Sequence, residues 1–231
     1  LKRYVFHESG TLVSGIIGGL YSSTATISVL ARKSRKASAE EATEYVAAML
    51  LAISMMFLRF MILILIFSRE IFLTIYPYLL IMSVVAAVVG WFIHSRQKRP
   101  EGQLATEDDD DSSNPLEFKV ALIFAVLFVV FTILTHYTLV YAGTGGLNLL
   151  SFVSGFSDIT PFILNLLQNT GSVAVLIITA CSMQAIISNI LVNMLYALFF
   201  AGKGSKLRPW ILGGFGVVIG CNLVLLLFFY L

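Results

Sequence analysis

The chain has 231 residues, of which 58% are hydrophobic and only 12% are charged, and its formal net charge is +2. A soluble domain is about 45–50% apolar and about 25% charged. The composition therefore excludes an ordinary soluble domain and indicates an integral membrane protein in a lipid bilayer, and the small net charge argues against a nucleic-acid partner.

The chain begins Leu1-Lys2-Arg3, without an initiator Met or a signal peptide, which is typical of a fragment or a trimmed domain. The first apolar span, at about 11–31, is interrupted by Gly18-Gly19 and a run of hydroxyl residues. Continuous helices are predicted at about 45–68 and 71–95, and each can cross an apolar core that needs about 20 residues.

A charged linker at about 96–115 separates the two halves of the chain. Its acidic run, Glu107 to Asp111, is typical of a solvated loop, with a regulatory or cation-binding segment as the alternative. The second half is predicted to hold a second interrupted span at about 146–168 and helices at about 116–140, 172–201 and 209–231.

The two interrupted spans align without gaps. Gly19, Ser22, Thr24 and Ile27 match Gly155, Asp158, Thr160 and Ile163, and Arg59 falls opposite Asn193 in the next helix. The predicted fold is an all-α polytopic membrane protein of two repeats, each with a Gly-broken or reentrant segment followed by transmembrane helices. The expected boundaries are a first membrane repeat at 1–95 lacking its leading helix, a charged cytoplasmic linker at 96–115 and a second membrane repeat at 116–231.

Loop charge predicts the orientation, because cytoplasmic loops are rich in Lys and Arg. The loops around Arg35 and Arg96 are then cytoplasmic. If the interrupted spans enter the membrane and return to the same side, Lys206 is cytoplasmic too and Asn169 is external. The repeats are then inverted, as in many secondary transporters. Full crossings would instead place Lys206 outside.

Non-helical backbone at membrane depth is tolerated only where it is buried in protein or lines a watery cavity. Gly18-Gly19 and Gly155 are expected to permit the turns, and the hydroxyls and Asp158 that follow are favoured helix N-caps. A new helix N-terminus suits an anion, whereas hydroxyls and exposed carbonyls suit a cation, so the sign of the substrate charge stays open. Close helix packing through small residues is the alternative.

Asp158 is the only carboxylate and Arg59 the only base deep within the predicted spans, where charges are rare and usually functional. Asp158 can instead act as a helix cap alone, and Arg59 can pair with Asp158, bind an anion or snorkel to the interface. Asn189 and Asn193 share a helix face, and helix-to-helix hydrogen bonds explain them almost as well. The candidate substrate-binding residues are Ser22, Ser23, Thr24, Arg59, Ser157, Asp158, Thr160, Asn189 and Asn193.

Other polar residues have simpler interpretations. Cys181 and Cys221 lack metal-ligand spacing and are expected to face lipid or to pack, so no metal or other cofactor is predicted. His136 is predicted at the membrane interface, with a proton relay as the alternative. Tyr78 and Trp91 fit an interfacial aromatic belt.

The segment Gly18 to Arg35, GGLYSSTATISVLARKSR, resembles the signature of a prokaryotic membrane family of unknown function, DUF4010. GFSDIT at 155–160 and the helix around Asn193 resemble the second half of that family. The chain departs from the family at Pro161, where Ala is usual, and in lacking a helix before the first broken span. The resemblance implies a multi-pass protein of the prokaryotic inner (plasma) membrane, and an MgtC/SapB-like domain as a partner, but it implies no substrate.

The expected function is transport of a small ion or small charged solute through a midplane site formed by the two broken segments, with Asp158 as the candidate proton-coupling residue. A non-transporting regulatory or assembly subunit of a membrane complex is the alternative, as is an ion channel. An enzyme is not expected, because the chain has no His-Glu-x-x-His or Gly-x-Ser-x-Gly motif and its His residues lie near span ends. A homo-oligomer is left open.

Overall fold

A computed structural model describes residues 10–35, 41–96, 116–168, 173–202, 205 and 207–230. In these ranges the chain is all helical, which confirms the predicted class. The helices are α1 (Thr11–Lys33), α2 (Glu41–Phe67), α3 (Arg69–Ser95), α4 (Leu116–Ser154), α5 (Ile159–Gln168), α6 (Val175–Ala201) and α7 (Arg208–Tyr230). The linker from 97 to 115, with its acidic run, and the predicted loop residues Asn169 and Lys206 lie outside the described residues.

Six helical segments of the described chain are long and apolar enough to cross a membrane. They are Thr11–Lys33, Thr43–Phe67, Arg69–Ser95, Val126–Gly143, Val175–Ala201 and Arg208–Phe228. Two shorter apolar helices, Gly145–Ser154 and Ile159–Gln168, lie between the fourth and fifth of these. The chain is therefore a multi-pass helical protein.

Helices α2 and α3 are separated by the single residue Ser68, whose backbone is extended at φ −154° and ψ 107°. Its hydroxyl accepts a hydrogen bond from the Ile71 amide at 3.4 Å, which caps the start of α3. A helix interior does not have such a backbone conformation, so α2 ends here. The Ser54 hydroxyl of α2 donates to the Ser83 carbonyl of α3 at 2.9 Å, so the two helices form a tight hairpin.

Helix α1 is broken at Ser22, where φ is −157° and ψ is 107°. The break was expected at Gly18-Gly19, but both glycines are helical, and the expectation was wrong by three residues. The Ser22 hydroxyl accepts a hydrogen bond from the Ala25 amide at 3.3 Å and so caps the second half of the helix.

The glycines of α1 instead provide close packing. A Cβ added to Gly19 would lie 2.5 Å from Ala52 Cα of α2, and one added to Gly15 would meet the Ala48 carbonyl oxygen. A Cβ on Gly18 would lie 2.5 Å from Thr26 Oγ1, across the break in the same helix. The first half of α1 therefore lies against α2, and the two halves of α1 lie against each other.

Helix α4 is also interrupted, at Gly143, where φ is 57° and ψ is −147°. This left-handed conformation favours Gly. The break at Gly143 separates the long apolar segment Val126–Gly143 from the short helix Gly145–Ser154.

The segment Gly145–Ser154 packs beside α6. The Cys181 thiol lies 3.3 Å from Asn148 Oδ1, and the Ser151 hydroxyl donates to Gln184 Oε1 at 2.7 Å. The residue numbers rise together on both helices, so the segment runs parallel to α6 until the chain breaks again after Ser154.

Helix α5 packs beside α4. Asn165 Nδ2 donates to Thr132 Oγ1 at 2.9 Å, and the rings of Phe131 and Phe162 lie 5.6 Å apart. Again the residue numbers rise together, so α5 runs in the same direction as the part of α4 before Gly143. A Cβ added to Gly146 would lie 2.7 Å from Thr138 Cγ2, so Gly145–Ser154 folds back on that part of α4 and runs opposite to α5.

Arg35 joins the ends of α1 and α6. It donates to the carbonyl oxygen of Phe200 and, at 3.2 Å, to that of Phe199, while Arg32 lies 4.3 Å above the Phe200 ring. A cation at a helix C-terminus is favourable because it satisfies free carbonyls. The C-terminal ends of α1 and α6 therefore lie at the same end of the bundle.

Candidate functional site

A polar cavity of about 370 Å³ lies between the break of α1 and the break between α4 and α5. Its lining includes seven of the nine residues predicted from the sequence, from both breaks and from α2 and α6. These are Ser22, Ser23, Thr24, Arg59, Ser157, Asp158 and Asn189.

The first break contributes hydroxyls. Thr26 Oγ1 donates to the Ser22 carbonyl at 2.8 Å. The hydroxyls of Ser23 and Thr24 have no hydrogen-bond partner among the described residues, although Ser23 is buried. They are therefore available to a bound molecule, whereas the Ser22 hydroxyl is already used as a cap.

The second break contributes Asp158. Its Oδ1 accepts hydrogen bonds from the Thr160 amide at 2.9 Å and from the Thr160 hydroxyl at 2.7 Å. Within the described chain no group donates to Oδ2, and the side chain is exposed in the cavity. Asp158 thus lines the cavity and caps the helix with one oxygen, while its other oxygen has no donor in the described chain, so its two predicted roles are compatible.

Arg59 of α2 connects the two breaks. One terminal nitrogen donates to the Tyr21 carbonyl at 2.7 Å, and the other donates to Thr160 Oγ1 at 3.1 Å. The Tyr21 carbonyl would accept from the Ala25 amide in a continuous helix, but that amide is bound by Ser22. Arg59 therefore replaces the hydrogen bond that the break removes.

From the sequence, Arg59 could pair with Asp158, bind an anion or snorkel to the membrane interface. The guanidinium bonds to residues at both breaks, and it forms no direct ion pair with Asp158, although the two charges attract each other. Its Nε atom is buried without a hydrogen-bond partner in the described structure. Each terminal nitrogen carries a second N–H, so the guanidinium keeps further donors for the cavity that it lines.

Asn189 and Asn193 form a short chain on α6. Asn189 Nδ2 donates to the carbonyls of Gly155 at 3.2 Å and Ser157 at 3.4 Å, and Asn193 Nδ2 donates to Asn189 Oδ1 at 3.1 Å. Asn193 is fully buried and does not line the cavity. The hydrogen bond of Asn193 thus lies within α6, whereas Asn189 bonds to the backbone of the second break.

Thr160 also lies outside the cavity lining, although its hydroxyl lies between Arg59 and Asp158. Eight further lining residues are not among the nine that were predicted, namely Ala25, Ser28, Met56, Gly155, Phe156, Ile159, Val192 and Tyr196. Met56 precedes Arg59 by three residues, and Val192 and Tyr196 follow Asn189 by three and seven. Helical spacing from the polar residues could have identified these three. In the described ranges no group of three or more His, Cys, Asp or Glu could hold a metal ion.

The fold and site define a multi-pass helical membrane protein with a polar cavity between two helix breaks. The chain belongs to the family described as "Domain of unknown function (DUF4010)", whose model matches residues 1–201, and the resemblance seen in the sequence is thereby confirmed. It is 25% identical over 227 residues to an uncharacterized protein of Aquifex aeolicus (strain VF5), covering 96% of each chain. No solved structure matches the chain.

Proposed function

We propose that the protein is a transporter that carries a small ion or small charged solute through the cavity between the two helix breaks. The observation that supports this most is the position of Arg59, which binds one break through the Tyr21 carbonyl and the other through Thr160. Charged groups at membrane depth are costly and usually mark a substrate or ion path.

We further propose that both interrupted segments are reentrant and that they enter from opposite sides of the membrane. The contact of Gly18 with Thr26 supports a hairpin in α1, and the opposite directions of Gly145–Ser154 and α5 support a second one. The shared end of α1 and α6, held by Arg35, supports opposite entry. This is the inverted repeat predicted from the sequence.

In this proposal transport proceeds by alternating access. One repeat moves against the other while the substrate stays at the breaks, as in other inverted-repeat transporters. The hydrogen bonds of Arg59 cross from one repeat to the other and are the contacts that such a movement would rearrange. Asp158, with one oxygen free, is the candidate for coupling to a proton.

The test of transport is a flux screen. The purified protein in liposomes is expected to accumulate at least one labelled solute from a panel of inorganic ions and small amino and organic acids, with and without a pH gradient. Liposomes without protein are the control. A stable partner in a mild-detergent pull-down, with no flux from the protein alone, would favour the regulatory-subunit alternative.

The orientation is tested by cysteine labelling. In a Cys181→Ala, Cys221→Ala background, a membrane-impermeant maleimide added outside is expected to label Ala174→Cys and to spare Arg35→Cys and Ser205→Cys. The reason is that α1 and α6 end together, so the start of α6 lies on the other side. Permeabilised cells serve as the control in which all three positions react. Labelling at 205 but not at 174 would indicate that the basic ends face outwards.

A further inference from the structure

The cavity holds two opposite charges that attract each other but form no direct ion pair, and the Thr160 hydroxyl lies between them. The terminal nitrogens of Arg59 bond to neutral oxygens, those of Tyr21 and Thr160, and its Nε has no described partner. Asp158 uses only Oδ1, and it uses it for Thr160. A guanidinium and a carboxylate are therefore both available to a molecule in the cavity.

A single ion fits this arrangement poorly. An anion placed beside Arg59 would be repelled by Asp158, and a cation beside Asp158 would be repelled by Arg59, and these forces are strong where water is scarce. A molecule that carries both charges would be attracted at both ends. It would also add no net charge to the membrane interior.

The spacing of the two charges indicates a short molecule. A guanidinium nitrogen of Arg59 and the carboxylate of Asp158 contact the same Thr160 hydroxyl, at 3.1 Å and 2.7 Å. The cavity of about 370 Å³ is near the lower end of the usual range for ligand pockets, about 300–1,000 Å³. Met56 and Val192 add apolar surface to its lining.

We infer that the ligand is a small zwitterion with a carboxylate and an ammonium group a few atoms apart, of the class of small apolar amino acids. The carboxylate binds Arg59 and the free hydroxyls of Ser23 and Thr24, and the ammonium binds Asp158 Oδ2. This inference rests on the proposed function, because it takes the cavity as the substrate site. It names the substrate class that the proposal leaves open.

The test compares molecules that differ by one charged group. Binding of glycine, alanine and β-alanine to the purified protein in detergent is measured by calorimetry, beside propionate and ethylammonium, which each lack one charge of alanine. At least one of the zwitterions is expected to bind tenfold or more tightly than either analogue. Sodium chloride at matched ionic strength is the control for a simple ion.

Variants assign each charge to its partner. Asp158→Asn is expected to bind the zwitterion no more tightly than propionate, and Arg59→Gln no more tightly than ethylammonium. Arg59→Lys keeps the positive charge and is expected to retain the preference for the zwitterion, which separates charge recognition from loss of the fold. All variants are first checked for monodisperse elution.

The outcomes separate this inference from transport itself. If wild type binds propionate, ethylammonium or a simple ion as tightly as every zwitterion, the inference is overturned, and a flux of that ion would leave the transport proposal standing. If a zwitterion binds with the expected preference but does not cross the liposome membrane, the ligand class stands and the transport proposal fails.

Discussion

Asp158→Asn is expected to leave the protein folded and to abolish transport, or to remove its pH dependence if a proton is the coupling ion. The amide oxygen of Asn can still accept from the Thr160 amide and hydroxyl, so the start of α5 keeps its cap. The negative charge is lost, and Asn cannot exchange a proton as a carboxylate does. We expect flux to fall at least about tenfold, a difference of roughly 1.4 kcal/mol.

Glu70→Gln is the matched control for this variant. Glu70 is an exposed carboxylate in the first turn of α3 and does not line the cavity. Its neutralisation is expected to leave flux and its pH profile unchanged. Normal transport by Asp158→Asn, with the pH profile of wild type, would show that the carboxylate only caps α5.

Gly19→Ala is expected to destabilise the protein by about 3 kcal/mol, at the upper end of the usual cost of overpacking. The new Cβ would lie 2.5 Å from Ala52 Cα, and backbone atoms can yield only if α1 and α2 move apart. Gly155→Ala is expected to destabilise the protein similarly, because the new Cβ would lie 2.7 Å from the backbone nitrogen of Asn189 and against the Ser188 side chain. Denaturant unfolding in mild detergent measures the loss.

Gly213→Ala in α7 is the matched control, since a Cβ there meets nothing within 4 Å. An unchanged or slightly higher stability is expected, because Ala is favoured over Gly in a helix by about 0.5–1 kcal/mol. If Gly19→Ala were as stable as Gly213→Ala, α1 would not pack on α2 through this glycine.

The polar part of the site could be predicted from the sequence because polar residues in apolar spans need a partner or a cavity. Ser22 and Asp158 are both favoured N-cap types, and each does cap the helix that follows it. The grouping of Arg59 with these residues also follows from its rarity at membrane depth.

The exact position of the first break could not be predicted. Glycine is favoured both at turns and at close helix contacts, so the pair Gly18-Gly19 is consistent with either. The residue that faces the glycine decides whether it serves as a turn or as a helix contact. Gly19 faces Ala52, which lies in another helix, so it is a contact. The sequence does not state which helices are neighbours.

The environment of Tyr78 could not be predicted either. It was expected in the interfacial aromatic belt, but this was wrong, because its side chain is 7% exposed and its hydroxyl is bonded to Asn222 of α7. Trp91, expected in the same belt, is 70% exposed. A buried hydroxyl needs a partner, and that partner is distant in the chain.

Arg59 is hydrogen-bonded to both breaks, so binding at the cavity and the hydrogen bonds at each break are coupled in free energy. If a molecule bound to Arg59 and Asp158 weakens the hydrogen bond of Arg59 to the Tyr21 carbonyl, then a change that strengthens that hydrogen bond must weaken binding of the molecule by the same free energy. Cooperativity between the breaks therefore requires no movement of a whole helix. A single side chain with two partners is sufficient to transmit it.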